Sequence, residues 1–105
     1  MPSLRDDGRA VTLDLHGATV REAEALADAT LHRAAERGRA SVKLIHGHST
    51  SHRQQRNRTI KHAVQDLAAT HPVVTTALRA EGHLTCSLDV TARPDPAPLT
   101  LRDVQ

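Results

Sequence analysis

Phenylalanine, tyrosine and tryptophan are all missing from this 105-residue chain, and that absence limits what it can fold into more than any motif does. A core without aromatic rings must be assembled from small and aliphatic side chains, here 22 Leu, Val and Ile together with 16 Ala. Such a core is thin, and close packing requires its helices to lie near whatever they cover. The same absence excludes nucleic-acid binding that stacks bases on aromatic platforms, including the usual RRM and single-strand OB-type surfaces. The length is that of one domain. No apolar run approaches the ~20 residues of a membrane-spanning helix, and no charged-then-apolar leader opens the sequence. The one cysteine, Cys86, cannot form an internal disulfide, which fits a reducing compartment, so a cytoplasmic location is expected.

Apolar periodicity lays out the elements. Val11, Leu13 and Leu15 alternate with Thr12, Asp14 and His16, the pattern of a strand with one buried side. Gly17 allows a sharp turn, and Thr19 with Glu22 three residues on forms a capping box that starts a helix. Val20, Ala23, Ala27, Leu31 and Ala34 follow at helical spacing, and Gly38 ends the helix. Residues 41–45 read as a second strand. After a polar stretch over 48–59, Ile60, Ala63, Val64 and Leu67 mark a second helix, which stops before His71-Pro72. Residues 73–78 form a third strand, and Glu81-Gly82 a turn. A fourth strand alternates Leu84, Cys86, Leu88 and Val90 with polar residues. Residues 1–10 are expected to be a flexible arm, and 93–105, which carry Arg93-Pro94-Asp95-Pro96-Ala97-Pro98, an extended tail. The domain proper is 11–92. The order β-α-β-α-β-β, with polar residues alternating on the first and fourth strands, predicts a two-layer α/β domain. Its four-stranded mixed sheet would carry both helices on one face.

The net charge of +2 hides a segregation. No acid lies between Glu36 and Asp66, while Arg37, Arg39, Lys43, Arg53, Arg56, Arg58 and Lys61 supply seven of the 14 cations. His46, His48, His52 and His62 share the window. A polyanion, DNA or RNA, is the natural partner for a surface of that kind; a solvated arginine-rich loop is the plainer alternative.

Two strand ends carry the candidate chemistry. Asp14 and His16 are two apart and share the polar face of their strand, about 7 Å apart along it. They sit at the edge where α/β folds place their sites, beside a helix N-terminus that favours an anion. An aspartate next to a histidine can orient the imidazole, raise its pKa or share a metal with it. If the first two strands are parallel neighbours, His46 of Ile45-His46-Gly47-His48 would join Asp14 and His16 around one phosphate-sized spot. Both pairs could equally be solvated polar residues. His46, His48 and His52 could be read as a metal cluster, but the surrounding arginines would repel a cation. No P-loop, G-x-G-x-x-G or G-x-S-x-G pattern is present, so nucleoside-triphosphate, dinucleotide and α/β-hydrolase chemistry lack support.

Leu13-Asp14-Leu15-His16-Gly17 ahead of a helix with Glu22-Ala23, then Ile45-His46-Gly47 closing the next strand, resembles the Smr (small MutS-related) domain in its stand-alone form. His71-Pro72-Val73-Val74 and the glycine-led strand of residues 82–88 resemble the same family. The likeness spans roughly residues 11–90. Ser49 stands where the family's second motif usually has a further glycine. The resemblance implies a fold similar to the C-terminal domain of translation initiation factor three, with strand order 1-2-4-3 and the fourth strand antiparallel. It further implies nucleic-acid binding and nicking endonuclease activity on DNA or RNA. Carried onto this chain, Asp14, His16 and His46 are the catalytic candidates. Gly47, His48, Arg53, Arg56, Arg58 and Lys61 are the candidates for binding nucleic acid. Asp14 and His16 could also hold a divalent metal, Mg or Mn. A non-catalytic module gripping structured or branched DNA or RNA, or a ribosome-associated RNA, is the alternative.

Overall fold

The computed structural model of the protein describes residues 1–47 and 60–105 in full and the backbone of 54–59. The described elements run β1 (Ser3–Asp6), β2 (Ala10–Asp14), α1 (Val20–Glu36), β3 (Ser41–Ile45), α2 (Gln54–Thr70), β4 (Val74–Ala80), β5 (His83–Leu88) and α3 (Leu101–Val104). The protein is α/β, with a mixed sheet of five strands in the order β1-β2-β3-β5-β4. β2 and β3 are parallel; β1 is antiparallel to β2, and β5 is antiparallel to both β3 and β4. The last four strands therefore have the expected 1-2-4-3 order. The expectation of four strands is corrected by β1, which adds an edge strand where a flexible arm was expected.

Alternation decides which side chains enter the core. Val11, Leu13 and Leu15 from the β2 segment, Val42 and Leu44 from β3, and Leu84, Cys86 and Leu88 from β5 are buried in one cluster. Ala23, Leu26, Ala27, Leu31 and Ala34 of α1 join it, as do Ile60, Val64 and Ala68 of α2. The alanines are fully buried at three of their α1 positions (Ala23, Ala27 and Ala34 at 0%), as a ring-free core requires. Burial pushes the Cys86 thiol up to about 11, so this cysteine is core filler with no thiolate chemistry at neutral pH.

Both ends of α1 are made by the residues the sequence singles out. Thr19 Oγ1 accepts the Glu22 N–H at 3.1 Å and Glu22 Oε1 accepts the Thr19 N–H at 3.1 Å. At the other end, Gly38 donates to the Ala35 carbonyl at 3.1 Å and Arg39 to the Ala34 carbonyl at 2.9 Å. That pair of bonds is a Schellman motif, and it needs the left-handed backbone that Gly38 adopts (φ +73). Any side chain there would also collide with neighbouring backbone, since a Cβ would lie 2.7 Å from the Ala92 carbonyl oxygen.

The C-terminal segment is likewise more than the extended tail expected. Leu99 and Val104 are buried in the core cluster, and 101–104 form a helical turn. What draws both ends of the chain in is a buried ion pair. Arg39 Nε donates to Asp6 Oδ1 at 2.8 Å and Oδ2 at 3.0 Å, and both side chains are fully shielded from solvent. Arg39 also donates to the carbonyls of Arg37 and Ala97, both at 3.0 Å. Asp6 accepts the N–H of Leu99 at 2.7 Å and of Gly8 at 2.9 Å. A tetrapeptide strand and a proline-rich segment give weak local signals; a carboxylate and a guanidinium 33 residues apart supply what periodicity does not show.

Burial by itself would raise the Asp6 carboxyl, but the Arg39 guanidinium and the Leu99 and Gly8 amides hold it below the ordinary 3.8. A depressed carboxylate contributes stability above its unfolded pKa, and that contribution fades as pH falls through the folded value. Asp6→Ala should therefore cost about 3–5 kcal/mol at pH 7, because it strands a buried guanidinium. In urea melts the gap between wild type and variant should close as pH is lowered below 3.8. A gap that does not depend on pH would show that the pair contributes through packing alone.

Candidate nucleic-acid interface

The parallel pairing of β2 with β3 sets Asp14 level with Ile45. It runs one bond past the strand end, where the Leu15 N–H donates to the Ile45 carbonyl at 3.0 Å. The two motif-bearing ends therefore leave the same edge of the sheet side by side. Beyond Leu15 the chain turns: Ala18 donates to the Leu15 carbonyl at 3.0 Å, and Asp14 Oδ1 accepts the His16 N–H at 2.9 Å. This is an Asx-type turn, in which a short carboxylate side chain satisfies backbone two residues on. His16 is exposed in that turn, and Asp14 is half-buried behind it.

On the neighbouring strand His46 continues the inward parity of Val42 and Leu44 and is only 6% exposed. Its N–H and that of Gly47 both donate to the Gly82 carbonyl at 2.9 Å. The His46 ring lies with Nδ1 3.0 Å from the Gly47 carbonyl oxygen. A carbonyl can only accept, so Nδ1 carries the proton in that contact. Gly47 takes a left-handed conformation (φ +85), with open space where a Cβ would sit.

The structure thus brings the two strand ends together and separates the side chains by face. Asp14 belongs to the outward set of β2, and His46 to the inward set of β3. Asp14, His16 and His46 do not make a three-ligand cluster. One oxygen of Asp14, a metal candidate from the sequence, is taken up by the His16 N–H.

Of the binding candidates, Lys61 is described in full and is half-buried on α2. His48 and Arg53, with Ser49 and His52, lie outside the described residues, as do the side chains of Arg56 and Arg58. Lys61 lines an open cleft of about 480 Å3 together with His62, Gln65, Arg79, Ala80 and Glu81. The cleft adjoins Gly82, whose carbonyl holds the His46-Gly47 turn. Arg79, exposed at the end of β4, is the cation that sequence reasoning missed; its place one strand residue before the Glu81-Gly82 turn was the available signal.

The basic window is also less uniform than its composition. Arg39 is buried, and Arg37 donates to the Ala97 carbonyl at 2.8 Å with Asp103 at 3.8 Å. Both lie ahead of β3, at the opposite edge from His46, and both serve the fold. The N-terminus of α1 is occupied as well. Hydrogen bonds from Thr19 hold the Glu22 carboxyl below its usual range, so a negative charge already sits where a phosphate would go.

A family model for the Smr domain matches residues 13–84. The chain belongs to the Smr domain family. At family level that means a nucleic-acid-binding, nuclease-like domain. No curated protein and no solved structure matches the chain. The Smr match takes in both motifs and the Gly82 turn, and leaves β1, most of β5 and the C-terminal segment outside it. Among the described residues, no helix is long and apolar enough to cross a membrane.

Gly47 offers a direct check on the second motif. Gly47→Ala meets no steric obstacle, so its effect is the conformational cost of a left-handed alanine, about 1–2 kcal/mol. Chemical denaturation should report that loss, and a neutral result would show that the turn can take another course.

Proposed function

We propose that this Smr domain binds DNA or RNA and nicks its phosphodiester backbone at the edge where β2 and β3 end. The reading rests on the Leu15–Ile45 hydrogen bond, which keeps the two family motifs adjacent on one edge beside a cleft lined by Lys61 and Arg79. His16, exposed in its turn, acts as the general acid or base on the reacting oxygen. Asp14 positions it by accepting its amide N–H. His46 acts through Gly47, shaping the turn that faces the substrate. Mg2+ or Mn2+ held by Asp14 and His16 would polarise a phosphoryl oxygen. Arg53, Arg56, Arg58 and Lys61 hold the backbone. In the absence of aromatic side chains, the preference is for shape, such as branched or structured nucleic acid, over base identity. The architecture that accompanies this reading has α1 and α2 on one face of the sheet, similar to the C-terminal domain of translation initiation factor three. The single core cluster shared by both helices supports it.

A non-catalytic binding module is the second reading. The commitment of the Asp14 carboxylate to its own turn and the burial of His46 favour it.

Incubating supercoiled plasmid and a structured RNA with the purified protein, with and without EDTA, separates the two. A nuclease predicts nicking by wild type and a loss of at least about 100-fold in Asp14→Ala/His16→Ala. His16→Ala alone should lose a similar amount with the Asp14 turn acceptor kept in place. Equal background cleavage by all three proteins would leave the binding module. Binding itself should be steep in salt. Four cations, Arg53, Arg56, Arg58 and Lys61, each neutralising one phosphate, predict a slope of log K against log salt of about −3 to −4. A flat titration would remove these four cations from the interface.

A further inference from the structure

Away from the motif edge, three side chains from two parts of the chain converge. Asp28 and His32 lie four residues apart on α1 and so share one helical face. His71 joins α2 to β4. Its Nε2 is 2.9 Å from Asp28 Oδ1, and His32 Nε2 is 3.5 Å from the same oxygen. The two rings lie 4.5 Å apart, tilted by 57°. One potential ligand atom from each residue falls within 4.8 Å of the other two, the one such trio among the described residues. The His71 side chain is 2% exposed, while Asp28 and His32 are about half exposed. The trio therefore has a fixed, buried wall and a mouth open to solvent.

We propose that Asp28, His32 and His71 bind a borderline divalent transition metal, Zn2+ foremost, through one carboxylate oxygen and two imidazole nitrogens. Ligands at Zn bond lengths of about 2.0–2.1 Å in a tetrahedron lie about 3.3 Å from one another. The two separations from Asp28 Oδ1, 2.9 and 3.5 Å, straddle that spacing, and all three ligand atoms lie within 4.8 Å of one another, so binding draws the two imidazoles in around the ion. Two nitrogens in a set of three disfavour Mg2+ and Ca2+, which take oxygen. A fourth position faces the open mouth and is available to water.

Binding carries a definite cost. The Val73 N–H donates to His71 Nδ1 at 3.3 Å, so in the metal-free ring the proton sits on Nε2 and points at Asp28. Taking the ion at Nε2 moves that proton to Nδ1 and gives up the long Val73 bond. The ion replaces the Nε2–H as the partner of Asp28.

The site is structural by position. The Val74 N–H donates to the His71 carbonyl, and Leu88, which pairs with Val74, donates to the Ala40 carbonyl just ahead of β3. His71 therefore lies at the sheet edge opposite His46, and an ion there ties α1 to the α2–β4 connection. Nothing in this depends on the nuclease reading.

The test is titration of the full-length protein, stripped with EDTA, with Zn2+ by calorimetry and with Co2+ by visible absorption. One ion per chain, the intense bands of tetrahedral Co2+, and a melting temperature raised by about 10 °C or more at 100-fold excess over Kd are expected. His32→Ala removes a half-exposed ligand with no packing role in the core. It should fold normally, lose at least about 10- to 100-fold in Zn2+ affinity, and bind nucleic acid like wild type. Asp28→Ala should lose Zn2+ affinity to a similar extent, and because it also removes the partner of buried His71 it should be less stable without metal than His32→Ala. The proposal is overturned if the stripped protein shows no saturable binding at micromolar Zn2+. It is overturned equally if His32→Ala and Asp28→Ala bind as tightly as wild type, which would locate the ion among the other histidines.

Discussion

Asp6 and Arg39 meet at 2.8 Å with neither side chain reaching solvent, and three distant pieces of chain are held in register by that contact. Stripping water from two charges is expensive, and their mutual attraction offsets it only when the remaining lone pairs and protons also find partners. Here each nitrogen and each oxygen of the pair has one: Gly8 and Leu99 donate to the carboxylate, and the Arg37 and Ala97 carbonyls accept from the two terminal nitrogens of the guanidinium. A chain without aromatic rings buries little apolar area per residue. A polar staple that recruits β1 together with Leu99 and Val104 enlarges that core from outside the Smr match, while Arg39 itself lies within it.

This staple also redistributes the charge. The acid-free window looks like one basic surface, yet the sheet splits it. Arg37 and Arg39 sit ahead of β3 and are spent on the fold, whereas Lys61 lies beyond its far end, in a cleft shared with Arg79. One edge of the sheet accordingly gathers stabilising contacts: the Schellman turn, the buried pair and the His71–Asp28 hydrogen bond. The other carries exposed His16, the left-handed Gly47 and the cleft. Rigidity at one edge and accessible groups at the other is the arrangement expected when a scaffold positions a site on its loops.

Much of this is legible in the sequence. The alternation in 11–15 and 84–88, the Thr19–Glu22 box and Gly38 each report a local physical requirement, and each element follows. β1 was not legible: four residues of mixed character have no periodicity of their own, and their reason for pairing lies in Arg39, 33 residues away. Leu99 was hidden in the same way behind prolines. The facing of His46 could have been read by continuing the parity of Val42 and Leu44 one step further; placing it beside Asp14 counted neighbouring strands and overlooked which face each residue takes.

That parity bears on what the LDLHG motif means chemically. Leu13 and Leu15 are core residues, Asp14 closes a turn on the His16 amide, and Gly17 supplies a backbone that turn requires. Four of the five residues therefore have structural work sufficient to account for their presence. His16 is different, because its ring is exposed at the strand end and the turn needs only its N–H. A phosphodiester approaching this edge would meet that imidazole before Asp14 and without reaching His46. The chemical case for the motif consequently rests on one side chain, with its neighbours acting by fixing where that side chain stands.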